Sequence, residues 1–422
     1  GGNMTTIKQK QLSVLIMITQ AFTVSFAEWK MFAVIGVPIK TQLGLNETEF
    51  GLLIATPVLT GSLVRLPLGM WTDKFGGRIV FFALMLSTVV PIWLMSYATE
   101  FWHFLTIGLF VGLAGGSFSV GIAYCARWYE RERQGMAMGV FGAGNSGAAL
   151  TKLVAPAIVV AYGWTMVPQV YAAAMLVTAL LFWFFTYDDP AHRVPSHVTV
   201  REQLRALKDP TVWKYCQYYS IVFGGYVALA LWMTKYYVSE YGFDLKTAAL
   251  LATAFSLPGG VLRAVGGWMS DKWGAHKVTW WVLWVSWICL FIMSYPQTEF
   301  TVQTVTGPRT FHIHLPAEVF TVLLFVVGVA FAFGKASVFK YISDDYPHNI
   351  GVISGIVGLI GGLGGFLLPI MFGALVDLTG IRSSAFMLMY GVVWVSLIWM
   401  YFTEVRKLDL MMKPARATDT LE

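Results

Sequence analysis

The stretch RLPLGMWTDKFGGR at 65–78 sets an arginine in an apolar run ahead of a charged, glycine-punctuated turn, and RAVGGWMSDKWGAHK at 263–277 does so again. Arg65 and Arg263 are 198 residues apart (263 − 65), as are Asp73 and Asp271 (271 − 73). A fixed offset shared by two separate landmarks is the mark of a duplicated unit. A second pair supports it: GMAMGVFGAGNSG from Gly135 is echoed by GVISGIVGLIGGLGG from Gly351, with glycines in step at 139/355 and 142/358.

The composition says what solvent the unit was built for. The chain is 57% hydrophobic and 12% charged, with mean hydropathy +0.64, about half the charge of a soluble domain. It reads as an integral membrane protein. Apolar runs of about 20 residues, enough to cross a hydrocarbon core of about 30 Å, recur about twelve times. They lie near 12–37, 50–72, 79–98, 102–127, 135–160, 166–187, 212–238, 247–270, 277–296, 316–342, 350–376 and 383–404. The fold class expected is therefore all-α, with twelve transmembrane helices in two pseudo-symmetric six-helix bundles. The bundles span 1–187 and 212–404, with a polar linker at 188–211 and a tail at 405–422.

Cations set the orientation. With the N-terminus inside, eighteen lysines and arginines fall in or beside inner segments and five in or beside outer ones, so both termini are expected in the cytoplasm. The net charge of +6 then belongs to topology and gives no support to nucleic-acid binding. Cys125, Cys216 and Cys289 fall in or at the edge of spans without metal-ligand spacing, and the histidines are scattered in loops. No metal, cofactor or enzymatic grouping emerges. The run from Lys8 continues apolar to Val37 without a small-residue cleavage site, which argues against a signal peptide.

Both DK turns fall on the same side, so the halves run parallel, a plan used by transporters. GMWTDKFGGR (69–78) and GWMSDKWGAHK (267–277) resemble the loop signature of the major facilitator superfamily. Within it the chain is similar to the nitrate/nitrite porters of NarK type. That resemblance is carried by Arg65, Arg263 and two glycine-rich helices, GVFGAGNSGAAL and GIVGLIGGLGGFLLP. It implies a major facilitator fold, a bacterial inner membrane and a monomer.

Arg65 precedes Asp73 by eight residues, about 12 Å at 1.5 Å per residue, which places it near the middle of the bilayer. Arg263 has the same offset. Such arginines need a water-filled cavity or a counter-anion. Glu28 is the clear carboxylate inside the spans and cannot neutralise both. A guanidinium keeps its proton and offers a planar fork of donors, which suits a flat, weakly hydrated oxyanion such as nitrate. The resemblance carries binding roles onto Phe118, Tyr219 and Phe223. The last two are four apart and share a helix face. Asn145 is the polar member of the fifth-helix signature and either donates to the anion or bonds a neighbouring helix. Gly142, Gly144, Gly147, Gly358, Gly361 and Gly362 are expected to let helices 5 and 8, and 2 and 11, approach and slide. Asp73, Lys74, Arg78, Asp271 and Lys272 are expected to latch the cytoplasmic side.

Moving an anion inward against the membrane potential costs about 2.3 kcal/mol per 100 mV. Import therefore requires co-transported protons or exchange for an outgoing anion such as nitrite. Lys335, Glu28 and Lys152 are the coupling candidates, since ionisable groups inside spans mark proton pathways. A Glu28–Lys152 ion pair is one expectation, and Lys340 is expected to reach the cytoplasmic surface. The lysine-bearing GKASVFKYIS of the tenth helix resembles the proton-linked branch. Nitrate/proton symport is thus the leading reading, nitrate/nitrite exchange the second. Transport of another small anion comes behind them. A nitrate sensor is disfavoured, because about 18 residues follow the last span and about 8 precede the first.

Overall fold

The structure, a computed structural model, describes residues 2–130, 133, 137, 140–188 and 199–411, with side chains from Thr6 onward. Gly139, one of the paired glycines, lies outside these residues, as do 189–198 of the linker and 412–422 of the tail.

Among the described residues, ten helices are long and apolar enough to cross a membrane, and two bent pairs bring the number to twelve. In chain order these are span 1 (Thr6–Leu43), span 2 (Glu47–Leu63 with Arg65–Phe75), span 3 (Gly77–Met95), span 4 (Phe101–Trp128), span 5 (Val140–Tyr162) and span 6 (Met166–Phe185). Then follow span 7 (Pro210–Tyr241), span 8 (Leu245–Val261 with Arg263–Trp273), span 9 (Ala275–Met293), span 10 (Ala317–Asp345), span 11 (Ile350–Thr379) and span 12 (Ser384–Met411).

The two bent pairs are the duplicated stretch. Span 2 bends by 41° and span 8 by 46°, each just ahead of its arginine. Pro67 lacks the N–H that would bond back across the first break. Pro258, Gly259 and Gly260 loosen the helix before the second. Each unit then ends on a glycine with positive φ, Gly76 at 99° and Gly274 at 89°. L-residues with a Cβ avoid that region, which explains the last glycine of the G-x-x-x-D-K-x-G turn. We call the end of the bundle bearing Asp73 and Asp271 the signature end, and the opposite one the far end.

Two elements went unforeseen. β1 (Thr298–Thr304) and β2 (Gly307–Ile313) form an antiparallel hairpin between spans 9 and 10, with Phe300 opposite Phe311. A short linker helix, Val200–Ala206, starts at Thr199, whose side chain accepts from the Glu202 N–H. Its buried Gln203 packs so closely on span 11 that a Cβ on Gly355 would lie 1.9 Å from the Gln203 amide nitrogen.

At the far end the spans before and after the linker are pressed together. A Cβ on Gly51 would meet the Pro369 carbonyl oxygen at 2.2 Å, and one on Gly373 the Glu47 carbonyl oxygen at 2.1 Å. Lys235 of span 7 pairs with Glu47 of span 2. Asp377 of span 11 accepts from the backbone N–H groups of Glu47 (3.1 Å) and Thr48 (2.8 Å), and thus caps the N-terminus of span 2. Ion pairs seen at the signature end stay on one side of the linker. Asp73 binds Arg127 at 2.8 Å, and Lys340 binds Asp271 at 3.6 Å and Asp344 at 3.2 Å.

Candidate anion-binding site

A cavity of about 490 Å³ lies between the two groups of six spans. Arg65, Arg263, Lys30 and Lys335 all line it, and among the described residues no aspartate or glutamate does. It extends toward the signature end, where Val200, Gln203 and Leu204 of the linker helix form part of its wall.

Both arginines rest on one aromatic ladder. The Arg65 guanidinium lies 5.2 Å from the Phe223 ring, and that of Arg263 lies 5.2 Å from Phe339. Tyr219 joins the two, stacked on Phe223 (5.0 Å, 8° between planes) and edge-on to Phe339 (5.1 Å). Ring faces hold a cation without using up its N–H donors, so both guanidinium groups keep donors for an anion. Tyr219 and Asn145 also line the cavity.

Irregular backbone recurs where these side chains project. Ser220–Gly225 forms one π-helical stretch in span 7, and Gly224 sits against the Gly361 carbonyl of span 11, 2.6 Å from a virtual Cβ. Short 3₁₀ turns at Gly112–Gly116 and Ala143–Ser146 precede Phe118 and enclose Asn145. Such departures from α-geometry often accompany functional sites.

Phe118, Asn145, Tyr219, Phe223 and both arginines thus share one cavity, joined by Gly358. Among the described residues a Cβ at Gly142 or Gly358 would meet nothing within 4 Å, whereas Gly144 and Gly147 pack on Phe22 and Thr23 of span 1 and do not face span 8. Asn145 is the one of this group that faces span 8, its Cβ 3.6 Å from a virtual Cβ on Gly260. Gly361 packs on Tyr219, and Gly362 on Ser62 of span 2.

Among the coupling candidates, Lys335 is buried in the cavity wall with its ammonium 3.5 Å from the Tyr226 ring centroid. Tyr226 donates to the Ser256 carbonyl at 2.6 Å. Lys152 lies outside the lining and donates to the Ser256 hydroxyl of span 8, so the expected ion pair with Glu28 is replaced by a bond to a neutral partner. Glu28 is buried with neither carboxylate oxygen bonded among the described residues.

Of the gating candidates, Arg78 stacks on Trp183 (3.8 Å) and donates to its carbonyl. Lys272 sits between Trp268 and Trp273, and Lys74 lies over Phe75. Lys340, expected to reach the cytoplasmic surface, is part-exposed at the signature end, where it bridges Asp271 and Asp344. Sequence reasoning missed Phe339, Gln203 and Lys30 as wall residues. Phe339 had a readable signal, since it lies four residues beyond Lys335 on one face of span 10.

The chain matches the family model described as the Major Facilitator Superfamily over residues 18–369. It is 36% identical over 412 residues to the "Probable nitrate/nitrite antiporter NarK1" of Thermus thermophilus, covering 94% of this chain and 93% of that protein. It is also 30% identical over 386 residues to the "Nitrite extrusion protein" of Bacillus subtilis, covering 90% and 92%. Among solved structures, the nucleoside transporter NupG superposes with a TM-score of 0.73 at 13% identity, over 91% of this chain and 98% of that one. That likeness concerns the fold alone. The chain belongs to the major facilitator superfamily and, within it, to the nitrate/nitrite porters. It is a multi-pass membrane transporter and not an enzyme.

Proposed function

We propose that this protein imports nitrate together with protons, by alternating access of two six-helix bundles about the arginine pair. The observation carrying this reading is the cavity itself: one arginine from each repeat and, among the described residues, no acidic side chain in its lining. The relatives' names point to nitrate and nitrite, and a planar anion suits two guanidinium forks approaching from opposite sides. Tyr219 supplies a hydroxyl donor, while Phe118, Phe223 and Phe339 limit the anion's size.

The signature end faces the cytoplasm in this reading, consistent with the inside excess of cations. With the far end closed by Glu47, Lys235 and Asp377, the structure then corresponds to an inward-facing state. Asp73 and Asp271, engaged here within their own bundles, become available to latch the cytoplasmic side when the bundles rock the other way.

Lys335 carries the coupling proton, because it lies in the wall of the same cavity as both arginines. A second reading, exchange of nitrate for nitrite, is favoured by the name of the Thermus relative, a nitrate/nitrite antiporter. Proteoliposome uptake separates them. Symport requires nitrate uptake driven by an acid-outside gradient with no nitrite inside. Uptake that ignores the gradient and appears only with internal nitrite overturns symport in favour of exchange.

A further inference from the structure

We infer that Lys30 is a third cationic contact of the substrate anion, bringing its ammonium onto the same ion that Arg65 and Arg263 hold. This rests on the proposal that the arginine pair is an oxyanion site, and adds a binding residue to it.

Lys30 occupies a break in span 1, between the helical segments Gly2–Trp29 and Phe32–Leu43. The break is held by its neighbour. The Trp29 indole donates to the Pro57 carbonyl of span 2 at 2.9 Å. Its ring fills the space left by two glycines, 2.9 Å from a virtual Cβ on Gly61 and 2.6 Å from one on Gly115. With Trp29 fixed against spans 2 and 4, Lys30 forms part of the wall of the cavity that holds both arginines.

The Lys30 ammonium is buried and has no hydrogen-bond acceptor among the described residues. The rings beside it are Trp29 at 4.5 Å and Phe26 at 5.9 Å, and a ring face leaves its three N–H donors unspent. Glu28 makes no ion pair with it among the described residues and does not line the cavity. Buried charges are ordinarily paired. Here the described residues supply no partner, and the substrate does.

The four cations of the cavity act on one another. Arg65 and Arg263 repel, as do Arg263 and Lys335, Lys335 and Lys30, and Lys30 and Arg65. Lys30 is therefore near enough to Arg65 for each charge to be felt at the other, and a lysine's flexible four-carbon stem lets its ammonium follow a small ion. Lys335 has the closer seat, 3.5 Å from the Tyr226 ring centroid, and serves the proton in the proposed cycle. Lys30 has the looser seat and serves the anion. One anion entering this ring relieves repulsion among all its members. Rearranging the lining cannot do so, since none of the described side chains in it is acidic.

The test is equilibrium dialysis of the purified full-length transporter in nanodiscs against isotopically labelled nitrate, with thermal melting of each variant to read folding separately. Lys30→Met keeps a long side chain against Trp29 and Phe26 but removes the charge. It should raise Kd for nitrate about 10- to 150-fold, as expected when a hydrogen bond to a charged group is lost. Lys30→Arg, which restores the cation, should bind within a few-fold of wild type. A structure of wild type with nitrate reads the same contact without substitution, with the Lys30 ammonium nitrogen about 2.7–2.9 Å from a nitrate oxygen. Three results overturn the role of Lys30 and leave the arginine site standing: an unchanged Kd in folded Lys30→Met, an equal loss in Lys30→Met and Lys30→Arg, or nitrate bound at the arginines with the ammonium out of its reach. No binding by wild type overturns the oxyanion reading itself.

Discussion

Replacing Asp377 with alanine should shift the transporter away from the conformation seen here, by an amount the far-end contacts set. The Asp377 carboxylate accepts from the Glu47 N–H at 3.1 Å, the Thr48 N–H at 2.8 Å and the Thr48 hydroxyl at 2.6 Å. It therefore caps the helix of span 2 from span 11, across the two groups of spans. Losing a helix cap costs about 1 kcal/mol, and losing a carboxylate from a helix N-terminus about 0.3–1 kcal/mol more. These contacts exist only while the far end is closed, so about 1–2 kcal/mol is removed from that state alone, raising the far-end-open population about 5- to 30-fold. Double electron–electron resonance between spin labels at exposed Thr99 and Gln297 reads the change as a longer-distance component, with the buried Cys125, Cys216 and Cys289 left unlabelled. Asn46→Ala provides the control. Asn46 caps the same helix from within its own half, accepting from the Glu49 N–H at 2.7 Å, so its loss should lower stability without moving the distance distribution. An unchanged distribution for Asp377→Ala, or the same response from Asn46→Ala, would refute the reasoning.

Three further perturbations probe the cavity and its walls. Tyr219→Phe keeps the aromatic ladder but removes a donor to a charged ligand, worth about 1.5–3 kcal/mol, so kcat/KM for nitrate uptake should fall about 10- to 150-fold with the fold intact by thermal melting. Gly51→Ala places a methyl 2.2 Å from the Pro369 carbonyl oxygen and should wedge the far end open in the same resonance measurement, while Gly142→Ala, with nothing within 4 Å, should leave it unchanged. Lys335→Gln should retain nitrate binding while abolishing the response of uptake to an acid-outside gradient, read in proteoliposomes.

What the sequence disclosed and what it hid follow the reach of each interaction. The arginine pair, the two DK turns and the positive-φ glycines are local and repeated, so a 198-residue offset exposed them. The aromatic ladder was half legible: Tyr219 and Phe223 share a face, but Phe339 joins them only through the packing of span 10 on span 7. The far-end closure was invisible, because Asp377 and Glu47 are 330 residues apart and each alone looks like a solvated loop charge. The hairpin was a different failure. TEFTVQT and TFHI alternate with period two on either side of TGPR, a strand signal overshadowed by twelve helical spans. The pairing expected for Lys152 with Glu28 came from matching depths, and depth does not say which way a side chain turns. Ser256 of span 8 was the nearer partner.

The most direct test of the central claim is a structure determined in the presence of nitrate, at a resolution that shows bound oxyanions. The account requires planar density between Arg65 and Arg263, with guanidinium nitrogens about 2.7–2.9 Å from its oxygens and the Tyr219 hydroxyl within hydrogen-bond distance. An empty space between the arginines under saturating nitrate, with either guanidinium turned onto a protein carboxylate, would contradict it.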